Sequence, residues 1–211
     1  MEHLPDEIFK QYFPVANSGV NFESLDDQCL YLWNKRISAA LWEVLCDVEI
    51  VFRYSIDKEL VRLNVTERNQ ESWIEDVETL IGMDGYRYVS RAKSFLQFRL
   101  IEDNHLNVIS ELNFSFWCSL LTKRYKDSLW RTALRFAFPN SPSRQPEYIF
   151  TRVRHLHVLR NRIAHHEPIH QRDIALDYQI CIEVLNAISP IIAAWSAEHS
   201  RVLGLLAEKP R

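Results

Sequence analysis

The sequence predicts an all-α fold, and its 211 residues are expected to form one helical bundle. Apolar residues recur at steps of three and four along nearly the whole chain, which is the spacing that buries one face of a helix. Only 4 glycines occur, and no two segments alternate as paired strands would, which argues against turn-rich β folds. A hydrophobic content of 47% and a charged content of 25% are typical of a globular protein rather than a disordered chain.

The first and longest helix is predicted from Asp26 to Leu63, after an N-terminal extension over residues 1–24. Seven apolar residues mark its buried face: Leu30, Trp33, Ile37, Leu41, Leu45, Val48 and Phe52. A second helix is predicted over Asn69–Ile81, because Gly82 and Gly85 interrupt the pattern after it. A third helix, rich in basic residues, is predicted over Tyr86–Leu100.

The second half of the chain continues the helical pattern. Two short helices are predicted within Asn107–Phe138, on either side of Lys123–Lys126, and residues 139–146 form a Pro/Ser-rich loop too short to link two domains. Helix resumes from Glu147 to about His166, where Pro168 interrupts it. The last helix is predicted to start near Asp173 and to extend through Trp195, with Pro190 as a point where it could kink.

Most large side chains are expected in the core. The six tryptophans lie on or beside apolar stripes, so burial is the expectation for all of them: Trp33, Trp42, Trp73, Trp117, Trp130 and Trp195. The four cysteines lack CxxC partners and are expected to be reduced, buried thiols: Cys29, Cys46, Cys118 and Cys181. Such cysteines, with no apolar run of about 18 residues and no visible signal peptide, predict a cytoplasmic protein that does not enter a membrane.

Charge is distributed unevenly along the chain. Residues 87–162 hold 14 Lys and Arg against 5 Asp and Glu, whereas the remainder holds 11 against 23, and the net charge is −3. A basic middle third suggests a surface that meets an anion, of which nucleic acid is the commonest large one. Alternatively, these basic residues only solvate helix faces and pair with acidic helices.

The stretch Tyr148–His170 is the richest in reactive side chains and holds five of the eight histidines. At 100° per residue, one face of this helix is apolar: Ile149, Val153, Leu156, Leu159 and Ile163. Four residues lie near the opposite pole: Arg154, Val158, Asn161 and His165. Asn161 and His165 are i, i+4 neighbours, so the amide could orient the imidazole. Arg160 lies only about 40° from the centre of the apolar stripe, where an unpaired guanidinium is costly, so it should pair with a carboxylate or reach an anion. A structural ion pair for Arg160 and a solvated helix-end His165 is the alternative.

The segment His166–His170 matches H-E-x-x-H, a zinc-binding pattern that requires both imidazoles on one helical face. Pro168 removes a backbone donor and pushes Glu167 out of the helical region, so that geometry is lost. A zinc hydrolase is therefore disfavoured, and no metal or cofactor is expected.

The segment Arg160-Asn161-Arg162-Ile163-Ala164-His165 matches the R-x4-H motif, with a polar residue after the Arg, of HEPN-domain ribonucleases. Three stretches resemble the Abi-like (abortive infection) branch of that superfamily: LYLWNKRISAALWEVLCDVEIVFRYSIDKEL at Leu30–Leu60, SELNFSFWCSLLTKRYKDSLW at Ser110–Trp130 and LRNRIAHHEPIH at Leu159–His170. The resemblance covers about residues 25–209.

The resemblance implies a HEPN-type bundle and a metal-independent endoribonuclease, usually a homodimer, that acts as a toxin in phage defence or a toxin–antitoxin system. Arg160 would hold the scissile phosphate, His165 would be the general base or acid, and Asn161 would orient the histidine or bind the phosphate. Such chemistry is coherent, because RNA carries its own 2′-OH nucleophile and the protein need only move protons and stabilise charge. An antitoxin, protein or RNA, is an implied partner. The alternative is a catalytically silent HEPN module that binds RNA or another protein.

Further residues are assigned around this motif. Glu49 is the candidate partner of Arg160, and Arg53 and His166 are expected beside the same cleft. Arg154, His157 and Arg162 are expected to contact the RNA. Two departures from the family pattern stand out: Tyr54 replaces an Asn of a related early helix, and Glu167 replaces the Tyr of an H-x-Y ending.

Overall fold

The computed structural model describes residues 25–68 and 72–210, and these form helices and turns without a strand. The predicted all-α class is confirmed. The predicted extension over residues 1–24 lies outside the described residues. The helices are α1 (Leu25–Arg68), α2 (Val77–Leu80), α3 (Met83–Phe98), α4 (His105–Glu111), α5 (Phe114–Ser119), α6 (Pro146–Ala164), α7 (Ile174–Ile188), α8 (Pro190–His199) and α9 (Val202–Ala207).

Helix α1 is the axis of the fold. Its 44 residues extend for about 66 Å, since an α-helix rises about 1.5 Å per residue. One face is buried from Trp33 to Leu63, which confirms the predicted stripe except for Leu30, which is half-buried. Helices α5, α6, α7 and α9 pack against α1, as does the turn at Leu134–Ala137. Residues on α1 and α6 are therefore held face to face.

The predicted helix over Asn69–Ile81 is wrong. Among the described residues of this stretch, only Val77–Leu80 are helical, and residues 73–76 form a turn. Trp73 explains the difference, because its ring is fully buried and its Nε1–H donates to Asp57 of α1 at 2.7 Å, which anchors a turn there. Helix α3 then begins earlier than predicted, immediately after Gly82, whose φ of +96° is a conformation that favours glycine.

The region between α3 and α6 is less regular than predicted. Helices α4 and α5 both end before Lys123, and Asn104 and Asn113 cap their first turns by accepting backbone N–H groups. The chain then forms short 3-10 turns at Lys123–Tyr125 and Leu134–Ala137 and a π turn at Lys126–Trp130. The predicted second helix of this region is thus replaced by tight turns.

The predicted last helix is two helices rather than one. Ser189 is extended, caps the first turn of α8 through its side chain, and is followed by Pro190 at the first helical position. Because a residue before proline avoids the helical region, the chain breaks here instead of bending. None of the described helices is long and apolar enough to span a bilayer.

Two sets of burial predictions need correction. Four tryptophans are buried as expected, but Trp42 is half-buried and Trp195 is 53% exposed. Of the cysteines, Cys181 is buried and Cys118 half-buried, and burial raises the pKa of both thiols; Cys29 and Cys46 are exposed. The apolar stretches around Trp42 and Cys46 belong to α1, whose outer faces are not all covered.

Candidate active site between α1 and α6

Helix α6 presents the reactive segment. Pro146 occupies its first position, where a missing N–H costs nothing, and its apolar stripe is buried as predicted. The helix ends at Ala164, two residues before the predicted end. His166 adopts a left-handed φ of +58°, its N–H donates to the Ile163 carbonyl, and the Glu167 N–H donates to the Arg162 carbonyl. This is the Schellman ending, which more often uses glycine at the left-handed position.

The chain after α6 is tied back to α1. The Asn34 side-chain oxygen accepts the backbone N–H groups of Ile169 and His170 at 2.9 and 3.0 Å. The H-E-x-x-H segment is therefore not helical, with His166 exposed and His170 buried, so its two imidazoles do not share a helical face. The expectation from Pro168 is confirmed. Within residues 25–68 and 72–210, no group of three or more His, Cys, Asp or Glu side chains is placed to hold a metal ion.

Arg160 pairs with Glu49, as predicted. Its Nε lies 3.6 Å from a Glu49 carboxylate oxygen, and its guanidinium carbon lies 5.5 Å from the centre of the Trp42 ring. The side chain is 31% exposed, and its buried Nε has no hydrogen-bond partner within the described part of the chain. The guanidinium is thus positioned by a carboxylate and an aromatic ring. Because its Nε is buried, only its terminal Nη groups could donate to a group from outside.

His157 stands beside this pair. Its ring packs against Phe114 with 5.9 Å between centroids, and its Nε2 lies 3.3 Å from the Asn161 amide nitrogen. Burial lowers the pKa of His157 below its ordinary 6.5, and Arg160 lowers it further, while the Glu49 carboxylate acts in the opposite direction. The buried surroundings therefore favour the neutral form of this imidazole.

Asn161 does not orient His165, contrary to the prediction. His157 and His165 each lie one helical turn from Asn161, and the Asn161 amide contacts His157. His165 closes α6 through a backbone bond to Asn161 at 2.9 Å, and its exposed imidazole has no hydrogen-bond partner among the described residues. The residues His157, Asn161 and His165, called the α6 row below, follow one another at i, i+4 and i+8.

The remaining predicted residues are Arg53, Arg162 and Arg154, and each has a different environment. Arg53 donates to the Ser110 carbonyl at 3.4 Å and lies over the Tyr54 ring, which ties it to α4. Arg162 pairs with Glu167 at 3.0 Å. Arg154 is exposed on α6.

A groove of about 800 Å³ opens between the first half of α1 and the end of α6. It is lined by Tyr31, Asn34, Lys35, Ser38, Ala39, Trp42, Glu43, Ile163, Ala164, His166 and Glu167. Trp42 connects the groove to the Arg160 guanidinium. Sequence reasoning placed Trp42 in the core and gave Asn34 no role; the i, i+4 spacing of Asn34, Ser38 and Trp42 on one face was the signal available.

Neither a protein-family model, nor a curated protein, nor a solved structure matches this chain. Its function therefore has to be inferred from the chemistry of the site residues.

Proposed function

We propose that the protein is a metal-independent endoribonuclease of HEPN type, in which Arg160 binds the scissile phosphate and His165 transfers a proton. The observation that carries the proposal is the state of Arg160: a guanidinium positioned beside Glu49 and Trp42 and partly exposed. A planar fork of donors that stays charged suits phosphate oxygens, and its attraction grows as negative charge develops in the transition state.

The reaction needs two proton transfers and no external nucleophile. A base removes the proton of the ribose 2′-OH, the 2′ oxygen attacks the phosphorus, and the bond to the 5′ oxygen breaks as an acid protonates that oxygen. The products are a 2′,3′-cyclic phosphate and a 5′-hydroxyl end. A histidine suits either role near neutral pH, and the exposed, unpartnered imidazole of His165 is accessible to a substrate.

The reaction uses a base and an acid, and the proposal assigns one imidazole, His165, from each chain. His157 lies eight residues earlier, about 12 Å along the helix axis, and contacts Asn161. A twofold homodimer would supply a second His165, which supports the dimer that the family resemblance implies. The exposed Val158 on the outer face of α6 is consistent with such a contact.

The biological role proposed is that of a toxin in phage defence or a toxin–antitoxin system, restrained by a protein or RNA antitoxin. It rests on the resemblance of Leu159–His170 and the two upstream stretches to the Abi-like family. Expression of the wild-type chain should then slow bacterial growth, and His165→Ala should relieve the effect.

The decisive experiment is cleavage of defined RNA by the purified protein in excess EDTA. Wild type should leave cyclic-phosphate ends, and Arg160→Ala and His165→Ala should not. Arg152→Ala is the matched control, because Arg152 also lies on α6 and pairs with a glutamate, Glu183 at 2.6 Å, away from the α6 row. Binding without cleavage would favour the silent RNA-binding alternative, and loss of cleavage on chelation would contradict metal independence.

A further inference from the structure

The groove between α1 and α6 is not needed for the bond-breaking step. Its walls are largely apolar and include two aromatic side chains, Tyr31 and Trp42. Its volume of about 800 Å³ lies within the range of small-molecule sites, roughly 300–1,000 Å³. A ligand with flat apolar faces, the size of one or two nucleotides, fits these walls.

The groove also offers polar atoms that could read the edge of such a ligand. The Asn34 oxygen is fixed by two backbone N–H groups, which fixes the orientation of the whole amide. Its nitrogen is therefore a preoriented donor, and among the described contacts it has no acceptor. The Ser38 hydroxyl lies one turn further along α1 and also lines the groove.

Charge around the groove allows a polyanion to approach. The two acidic side chains of the lining are already paired: Glu43 with Arg201, and Glu167 with Arg162 at 3.0 Å. Lys35 is exposed on the rim, with its ammonium 5.7 Å from the Tyr31 ring centre. The groove therefore combines aromatic walls, a fixed amide and a basic rim.

We propose that this groove is a base-binding subsite, in which a nucleobase of single-stranded RNA stacks on Trp42 while the adjoining phosphate meets Arg160. The inference rests on the proposed nuclease function and adds where the substrate binds. Single-stranded RNA is bound by splaying its bases onto aromatic rings, and every base has a face that can stack. Trp42 contacts both the groove and the guanidinium, so it links the two halves of the subsite.

The test measures binding in the His165→Ala background, which removes cleavage. The probe is a fluorescein-labelled RNA hexamer, followed by anisotropy at fixed salt. Trp42→Leu should weaken binding by about tenfold, within the range known for loss of one base–aromatic stack. Trp195→Leu is the matched control, because Trp195 is an exposed tryptophan on α8 outside the groove and its loss should leave the Kd unchanged.

A second variant guards against an indirect effect through Arg160 or folding. Ala39→Leu adds bulk to an exposed position of the groove wall without removing a contact, and leucine keeps helix propensity. It should weaken hexamer binding. Its thermal midpoint should stay within about 2 °C of that of the parent, as is usual for a substitution on the surface. Ser38→Ala should alter the preference among the four homopolymeric hexamers.

The outcomes separate this inference from the nuclease proposal. If the wild-type chain cleaves RNA but Trp42→Leu and Ala39→Leu bind the hexamer as tightly as their parent, the subsite is refuted and the nuclease stands. If binding depends on Trp42 and Ala39 but wild type never cleaves, the subsite stands and the nuclease fails. If the parent binds no hexamer at all, the groove serves another class of partner and the subsite is refuted.

Discussion

Replacement of Arg160 by glutamine distinguishes a residue that builds the fold from one that serves the substrate. The Arg160–Glu49 separation is 3.6 Å between the nearest charged-group atoms. Two unit charges at that distance attract by about 1 kcal/mol in water and by about 5 kcal/mol at an effective dielectric of 20. Both side chains are partly exposed, at 31% and 25%, and the contact is not a hydrogen bond. We therefore expect a coupling of about 1 kcal/mol, as for exposed pairs.

A double-mutant cycle measures this coupling. The free energy of unfolding in urea would be compared for wild type, Glu49→Gln, Arg160→Gln and the double variant, and the cycle isolates the pairwise energy. In the cleavage assay, Arg160→Gln should lower kcat/KM by about 100-fold or more, as for loss of one donor to a developing oxyanion. The loss of transition-state stabilisation should thus exceed the Arg160–Glu49 coupling by more than about 1 kcal/mol, since 100-fold is about 2.7 kcal/mol.

The pair formed by Arg172 and Asp177 calibrates the result. The Asp177 carboxylate is 1% exposed and accepts two hydrogen bonds from Arg172, at 2.6 and 2.8 Å, and a contact from His155. Asp177→Asn leaves these groups unmatched and should cost about 3 kcal/mol of stability. A coupling of 3 kcal/mol or more between Arg160 and Glu49, with kcat/KM of the folded variant unchanged, would show that Arg160 is structural and would refute the phosphate-binding role.

Three further predictions concern stability. Because the pKa of His157 is lower in the folded state, its contribution to the free energy of unfolding is present above pH 6.5 and is lost as pH falls through the folded pKa. In urea unfolding between pH 7.5 and 5, the free energy of unfolding should therefore decline less steeply for His157→Gln than for wild type. An unchanged slope would contradict the burial effect. His166→Gly should raise the free energy of unfolding by about 0.5–1 kcal/mol, because glycine tolerates φ of +58°, and a fall would show that its side chain contributes packing. Gly85→Ala should lower the free energy of unfolding by about 1–3 kcal/mol, since the added Cβ would lie 2.5 Å from an Ile81 methyl carbon. Gly204→Ala should stabilise the protein, because its Cβ would meet nothing within 4 Å and alanine favours the helix. Equal shifts of the thermal midpoint for the two variants would contradict this difference.

Long periodic segments were predictable, and short irregular ones were not. The stripe of α6 from Ile149 to Ile163 is buried as its spacing indicated, because a helix in contact with a core has no other way to place those residues. The Asn69–Ile81 prediction failed because one tertiary bond, from Trp73 to Asp57, outweighs local propensity. No periodicity in the sequence encodes such a bond.

Within the candidate site, the ion-pair partner of Arg160 was predicted correctly, whereas the histidine that Asn161 contacts was not. The position of Arg160 near an apolar stripe predicted a carboxylate partner, and the family resemblance of the early helix, not the spacing, pointed to Glu49, with which Arg160 pairs. Asn161 was assigned to His165 by spacing, but i−4 and i+4 neighbours are equivalent on a helix, and the amide contacts His157. Which neighbour it takes depends on packing: Phe114 holds the His157 ring in place, whereas His165 lies exposed at the helix end.

Exposure, which spacing alone does not supply, separates the arginines of α6 from that of the loop that follows it. Arg172 is 18% exposed and Arg162 is 42% exposed, each paired with an acid within 3.0 Å, and Arg160 at 31% falls between them. The Arg172–Asp177 pair leaves little room for a substrate, whereas Arg162 is bound to Glu167 at the more exposed end of the range. Arg160 combines a direction set by Glu49 and Trp42 with partial exposure. Preorganisation of that kind is what electrostatic catalysis requires, because the cost of orienting the charge is met in folding rather than in the reaction.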